Sequence, residues 1–318
     1  MTADAPATSG VDEALAWEAA QRSRAGIASI AAGLLLLATF VYSYVGFDDS
    51  PSVVLTDGFR DALGQPLSQE RTGLLTESAM WFDDHAFELL AVTALAAIGT
   101  AIVAFVLGYL FRATQARRPE TKRYILYAAL VGPILYGLGP LISATTAVFN
   151  ASSYVSDGQF STLGAHDALR TGTGIAVAQS FVGVGQLATA VGVALVSLNA
   201  MRAGLLTRFM GILGCIVGVL LVLPALFGPP AIVEAAWLIA LGLLILGRVG
   251  TVPPAWTSGR AEPWPSQQEL REARERGAGD PDPEPRHASV ADDDEQDTEA
   301  DAFGTPHPSS KKRKRKRR

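Results

Sequence analysis

Residues that could do chemistry are sparse in the apolar parts of this 318-residue chain. The first group is Asp83-Asp84-His85, which Glu88 follows. Asp84 and Glu88 are four residues apart and would share a face of a helix, with His85 beside them. Carboxylate and imidazole groups in this arrangement can hold a divalent cation. The interpretation that we favour is simpler: the acids cap a helix and interact with the positive end of its dipole.

A second polar segment contains His166, Asp167 and Arg170. We expect this segment on the same side of the membrane as His85. If the two segments meet, Asp84 and Asp167 join the two histidines in one cation site. Acids in loops are usually only solvated, and we favour that interpretation.

Glu234 is the only carboxylate well inside a long apolar run. An acid within a membrane is a functional candidate by default. However, Pro229-Pro230 precedes it and is expected to start a helix, so Glu234 falls in the first turns. The helix dipole and headgroup water would tolerate a carboxylate there. We favour a structural role for Glu234 over a role in transport.

Gln186 is expected near the middle of another apolar run, and an amide at that depth usually bonds a neighbouring helix. The alternative is a cavity shared with the run that contains Gly132-Pro133 and Gly139-Pro140. Prolines remove backbone hydrogen bonds, and broken helices near mid-depth mark transporter sites. Proline kinks without a site are commoner, so we favour the packing role.

The elements that must position these residues are six long apolar runs. Apolar residues make up 49% of the chain and charged residues 18%. The runs are continuously apolar rather than alternating, and a bilayer core of about 30 Å admits helices of about 20 such residues. The pattern predicts an all-α, six-helix transmembrane bundle over residues 25–248, after an N-terminal cytoplasmic segment, 1–24. The predicted helices are 25–45, 86–111, 124–149, 173–200, 209–227 and 232–246.

Arginine and lysine gather in alternate connections between the runs, which indicates orientation. Five basic residues lie between the second and third runs, and Arg202 and Arg208 lie between the fourth and fifth. The opposite connections are poorer in basic residues, and the long one, 46–85, is acidic. This bias predicts a multi-pass protein of the inner (plasma) membrane with both termini in the cytoplasm.

Residues 249–318 are predicted to form a disordered, charged cytoplasmic tail, since large apolar residues are too few to build a core. Near its start, Trp256 is expected at the level of the lipid headgroups. The chain ends in eight consecutive basic residues, Lys311–Arg318. Anionic lipid attracts such a cluster at a membrane surface. Binding of nucleic acid is disfavoured, because no aromatic residue for base stacking is interleaved with the basic ones.

Small residues in the fifth run predict close helix packing. Gly211, Gly214 and Gly218 fall on one ridge of a helix. This ridge predicts packing within the bundle or a homo-oligomer through Gly214 and Gly218. The single cysteine, Cys215, excludes a disulfide framework and a cysteine-based zinc site.

Three short stretches carry a family resemblance: residues 24–27, residues 204–214 (GLLTRFMGILG) and residues 233–239 (VEAAWLI). They resemble a family of uncharacterised bacterial integral membrane proteins, catalogued as a domain of unknown function. The resemblance covers roughly residues 20–248. It implies a six-helix bundle, a basic turn before helix five, and a Glu–Trp pair in the last helix, here Glu234 and Trp237. It implies no reaction, but it adds Trp237 to the positions worth testing.

No catalytic or nucleotide-binding motif is present, and no cofactor is expected. The leading expectation is a non-enzymatic membrane protein with a structural, regulatory or sensing role. The runner-up is a transporter or channel for a small solute or cation, with Gln186, Glu234 and the proline-containing third run lining one path. The third hypothesis is a membrane-embedded, metal-dependent enzyme that uses His85 and His166.

Overall fold

The fold is all-α throughout the part of the chain that the computed structural model describes, as predicted. That part comprises residues 6–47, 50, 51, 74–158, 162–223, 231–248, 253–262, 264, 271, 272 and 275, and no strand occurs in it. Its helices are α1 (Pro6–Val45), α2 (Leu74–Asp84), α3 (Ala86–Arg117), α4 (Arg123–Asp157), α5 (Thr162–Arg170), α6 (Thr173–Arg202), α7 (Arg208–Val222), α8 (Ala231–Ile245) and α9 (Ala255–Ser258).

The chain divides into two compact units, Met1–Pro265 and Ser266–Arg318. All the helices named above belong to the first unit. In the second unit residues 271, 272 and 275 are helical. The predicted basic terminus, Lys311–Arg318, lies outside the described residues.

Four helical stretches are long and apolar enough to cross a membrane: Asp12–Val45, Ala86–Arg117, Arg123–Asp157 and Gly164–Arg202. They contain the first four predicted runs. The fifth and sixth runs correspond to α7 and α8, which are apolar but have 15 residues each. Such a helix is about 22 Å long. The last residues predicted for the fifth run, 224–227, lie outside the described residues.

The outer surface of these helices is apolar. Soluble monomers rarely expose large continuous apolar patches, so this surface fits a hydrocarbon environment. Large apolar side chains that are exposed along the long helices and α7 include Leu34, Val41, Ile98, Phe105, Val131, Ile134, Val184, Leu187, Ile216 and Val219.

Glycines bring the central helices α4 and α6 into antiparallel backbone contact. A Cβ at Gly185 would collide with the backbone nitrogen of Tyr136, and one at Gly132 would lie 2.5 Å from the backbone nitrogen of Thr189. Gly192 is similarly close to the backbone of Ala129. Close approach of this kind adds van der Waals contact, which holds helices together where lipid replaces water.

α1 and α8, the first and last of these apolar helices, pack against each other in the same way. A Cβ at Gly26 would meet Leu246 and the backbone of Gly242, and one at Gly33 would meet the backbone oxygen of Ala235. Between these glycines the Ser29 hydroxyl donates to the Leu238 carbonyl over 2.6 Å. α1 and α8 are therefore antiparallel neighbours, although their sequences lie at opposite ends of the bundle.

The structure differs from the sequence-based expectations in the connections. The long acidic connection contains α2, whose Leu75, Ala79 and Phe82 share one face and pack against Tyr154 at the end of α4. α5 also contributes to this cluster through Ala165. Four- and three-residue spacing of apolar residues in a mostly polar segment is the signal for such a helix.

The third run is not broken at its prolines. Pro133 and Pro140 both lie inside the continuous helix α4. Gly132 and Gly139, which precede them, face α6. The Gly-Pro pairs therefore accompany close helix packing and do not interrupt the helix.

The predicted disordered tail begins too early at residue 249. Residues 255–258 form α9, where Trp256 is only 5% exposed. Its indole N–H donates to the Leu205 carbonyl over 2.9 Å. The sequence suggested that Trp256 lies at the lipid headgroups, but the ring is enclosed by protein because charged and aromatic partners come from α1 and α3.

Candidate functional site

A cavity of about 300 Å³ lies between α1, α3, α4 and α8, and Glu234 lines it. Its polar lining residues are Thr39, Ser43, Thr93, Thr100, Tyr136 and Glu234, and its apolar ones include Leu36, Phe40, Val92 and Pro140. The lining extends to Ser43, two residues before the end of α1. This volume is at the lower end of the range for small-molecule sites.

The threonine and serine hydroxyls of this cavity donate to their own helices. Thr93 donates to Leu89 over 2.7 Å, and Thr100 donates to Ala97 over 2.9 Å. Thr39 and Ser43 make the same kind of bond within α1. A hydroxyl has one hydrogen to donate and two lone pairs. These four oxygens therefore remain available mainly as acceptors.

Glu234 brings the one carboxyl group to this acceptor-rich lining. It lies in the first turn of α8 and is 8% exposed. Within the described part of the chain it makes neither an ion pair nor a hydrogen bond, and its neighbours in the cavity are hydroxyl groups and apolar side chains. The position at a helix N-terminus favours a negative charge. Chemically, the cavity suits a ligand that donates hydrogen bonds or carries positive charge.

Gln186 and Trp237 lie elsewhere. The Gln186 amide donates to the Leu221 carbonyl over 2.6 Å, in the last turn of α7 where carbonyls have no partner within the helix. Trp237 is fully buried, and its indole N–H donates to the Met210 carbonyl over 3.1 Å. Both residues connect α7 to its neighbours. Neither lines the cavity with Glu234.

The residues predicted to bind a cation lie at the same end of the bundle as α2 and α5. The His85 ring stacks on Trp81 with centroids 4.7 Å apart, and its Nδ1 lies 3.0 Å from the Trp81 carbonyl oxygen. Glu88 accepts a hydrogen bond of 3.4 Å from the Tyr42 hydroxyl. His166 pairs with its neighbour Asp167 at 3.5 Å.

Asp84 is exposed at the end of α2. Among the described residues no three His, Cys, Asp or Glu side chains are grouped closely enough to hold a metal ion. The cation site of Asp84, His85, Glu88 and His166 therefore stays a hypothesis.

A buried ionic and aromatic cluster at the opposite end of the bundle was not expected from the sequence. The Arg117 guanidinium binds both Glu18 oxygens, at 2.5 and 2.9 Å, and the two side chains are 1% and 4% exposed. Arg117 also donates to the Ala255 carbonyl over 2.7 and 3.0 Å. These bonds join α1, α3 and α9.

Aromatic rings surround this ion pair. Tyr109 stacks on Trp256 with centroids 6.1 Å apart and lies 5.5 Å from Trp17. The Arg112 guanidinium lies 4.3 Å above the Trp17 ring, and Arg22 lies 5.3 Å from the Trp256 ring. The hydrogen bonds of the ion pair are satisfied within the protein, so the cluster fastens α1, α3 and α9 together at this end of the bundle.

The glycine ridge of α7 faces α6 of the same chain. A Cβ at Gly214 would collide with Ser197, and one at Gly218 would lie 2.7 Å from the Ala190 carbonyl oxygen. The ridge therefore serves packing within the bundle. A homo-oligomer through Gly214 and Gly218 stays a prediction, in which a second chain would share this face with α6.

No family model, curated protein or solved structure matches this chain. The resemblance to a bacterial family of membrane proteins therefore stays a prediction.

Proposed function

We propose that this chain is a six-span protein of the bacterial inner membrane, with both termini in the cytoplasm, that binds and transports a small organic amine at Glu234. Four long apolar helices support membrane insertion. α8 packs antiparallel against α1, which is long and apolar enough to cross a membrane. This contact supports a further crossing by α8. Arginines at the ends of α3 and α6 and at the starts of α4 and α7 support a common cytoplasmic side.

The observation that carries the transport proposal is the position of Glu234 in the cavity without a partner among the described residues. A cationic ligand would supply the missing counter-charge, and the four hydroxyl oxygens would accept further hydrogen bonds from its N–H groups. The rings of Phe40 and Tyr136 also attract cations. The apolar walls suit a ligand with a few carbon atoms. This arrangement favours the runner-up function of the sequence analysis over a purely structural role.

The proposal is tested by solute uptake into vesicles that contain the purified protein. The probe amines are methylammonium and butylammonium, and 1-butanol and butyrate serve as neutral and anionic analogues of similar size. We expect uptake of an amine in preference to its analogues. Glu234→Gln keeps the shape but removes the charge, and we expect it to lower amine uptake by at least about tenfold, equivalent to about 1.4 kcal/mol.

The matched control is Asp157→Asn, which changes an exposed carboxylate outside the cavity. We expect its uptake to equal that of the parent. Equal uptake by the parent and Glu234→Gln, or uptake that does not distinguish amines from butyrate, would contradict the proposal. Absence of amine uptake by the parent would also contradict the proposal and would favour a structural role for Glu234 instead.

A further inference from the structure

A second cavity, of about 310 Å³, lies at the connection between α6 and α7. It is at the end of the bundle that carries the ionic cluster and most of the arginines, away from Glu234. Its lining residues are Met201, Arg202, Arg208, Ile212 and Trp264. Two guanidinium groups, two apolar side chains and an indole therefore converge at one point near the end of two apolar helices.

A tight turn places the two arginines next to each other. α6 ends at Arg202, and Gly204 follows in a left-handed conformation with φ of 80° that suits glycine. Thr207 then caps α7 by accepting a hydrogen bond of 3.2 Å from the Met210 N–H. The first residue of α7 is Arg208, so the two cations lie at adjacent ends of antiparallel helices, where long apolar spans meet the headgroup region.

Neither of these arginines is neutralised by the described part of the chain. By contrast, Arg118 at the same end of the bundle is paired with Glu120 at 2.8 Å. Arg202 and Arg208 are both exposed and have no ion pair among the described residues, and Arg208 reaches only the Trp264 carbonyl oxygen, at 3.4 Å. Two neighbouring guanidinium groups match the oxygens of a phosphate group.

The remaining lining indicates what else the anion carries. Ile212 is 54% exposed on α7, and Met201 adds a second apolar surface beside the arginines. The Trp264 indole nitrogen is buried and lacks an acceptor within the described residues. A ligand with phosphate and ester oxygens at one end and hydrocarbon at the other would pair with the arginines, accept a hydrogen bond from the indole and contact the two apolar side chains.

We propose that this cavity binds an anionic glycerophospholipid. Its phosphate lies between Arg202 and Arg208, one of its oxygens accepts from the Trp264 indole N–H, and its upper acyl carbons contact Met201 and Ile212. This site uses none of the residues of the basic terminus Lys311–Arg318, whose predicted attraction to lipid needs no defined cavity. It is also independent of the amine proposal, because the two cavities share no lining residue.

The test measures lipid binding by the full chain in a neutral detergent. Phosphatidylglycerol is titrated against phosphatidylcholine, and bound lipid is counted by native mass spectrometry. We expect phosphatidylglycerol to bind more tightly. The double variant Arg202→Gln/Arg208→Gln should weaken its binding about tenfold, since each lost charge-assisted bond contributes. The control Arg24→Gln/Arg123→Gln removes two exposed arginines outside the cavity and should change binding less than about twofold.

A second variant examines the indole alone. Trp264→Phe keeps an aromatic ring at this position and removes the N–H donor, and we expect phosphatidylglycerol binding to fall about threefold with phosphatidylcholine unchanged. Equal losses in the cavity and control variants would contradict the proposal and assign binding to general surface charge. Soluble glycerol 3-phosphate binding as tightly as phosphatidylglycerol would also overturn it, because the site would then recognise the phosphate ester without the lipid.

Discussion

Glu18 and Arg117 are held in the protein interior by complementary hydrogen bonds. The carboxylate accepts two bonds from the guanidinium, which also donates to the Ala113 and Ala255 carbonyls. A buried charge is tolerated only when such partners replace its hydration. The pair thus depends on the exact placement of three chain segments.

Removing the charge of Glu18 should destabilise the protein strongly. In Glu18→Gln the Arg117 guanidinium loses its counter-ion but stays buried, and breaking one partner of such a pair costs about 3–5 kcal/mol. Unfolding in detergent, followed by heating or by denaturant, measures the change. Glu88→Gln, an exposed carboxylate, should change stability by less than about 0.5 kcal/mol. Equal stability of the two variants would show that the pair is dispensable.

Sequence reasoning found Glu234 because a carboxylate stands out within a long apolar run. It missed the Glu18–Arg117 pair, because 99 positions separate the two residues and each has an ordinary polar neighbourhood. Its assignment of Trp256 to the lipid headgroups failed for a related reason. Prolines and polar residues surround that tryptophan locally, while its partners come from α3 and from Arg22 of α1.

At the scale of helices, glycine positions decide which neighbours can meet. In α6, Gly185 touches the backbone of α4, whereas a Cβ at Gly183 would have nothing within 4 Å. The two glycines lie two residues apart on the same helix. Alanine substitutions at these two positions therefore separate the effect of close helix packing from the effect of helix propensity.

We expect Gly185→Ala to lower the free energy of unfolding by about 1–3 kcal/mol, because the added methyl group forces α4 and α6 apart. Gly183→Ala should be neutral or stabilising by up to about 1 kcal/mol, since alanine favours the helix. Thermal unfolding in detergent compares the two variants with the parent. Equal behaviour of the two alanine variants would contradict the close approach of these helices.

Helices were the best predicted level of structure, because continuous hydropathy is a local property of the chain. The apolar runs lie in helices, whereas α2 and α5 were missed as polar connections. Their apolar residues are few, and they are stabilised by packing on Ala151 and Tyr154 of α4. The Glu234 cavity could not be predicted, since it needs the relative positions of four helices.

At the scale of the whole molecule, the proposed number of crossings depends on α7 and α8. Six spans place the connection 224–230 on the outer face, whereas four spans leave it in the cytoplasm. The single native cysteine makes this testable by labelling. We expect Gly228→Cys in a Cys215→Ser background to react with a membrane-impermeant maleimide on intact cells.

Two further single-cysteine variants calibrate that experiment. Thr171→Cys lies in the exposed connection before α6 and should react from outside. Lys122→Cys lies in the exposed connection between α3 and α4 and should react only after the membrane is opened. Labelling of residue 228 in the same pattern as residue 122 would refute the six-span arrangement.

The partnership of α1 with α8 has a consequence for biosynthesis. α1 leaves the ribosome before the rest of the bundle, but it acquires its neighbour α8 only when nearly all of the bundle has been translated. Until then the face of α1 that carries Gly26, Ser29 and Gly33 lacks its partner helix, and the Ser29 hydroxyl lacks its acceptor on Leu238. Closure of the bundle therefore comes late in synthesis, and nascent chains that stall before α8 leave this face of α1 without its partner.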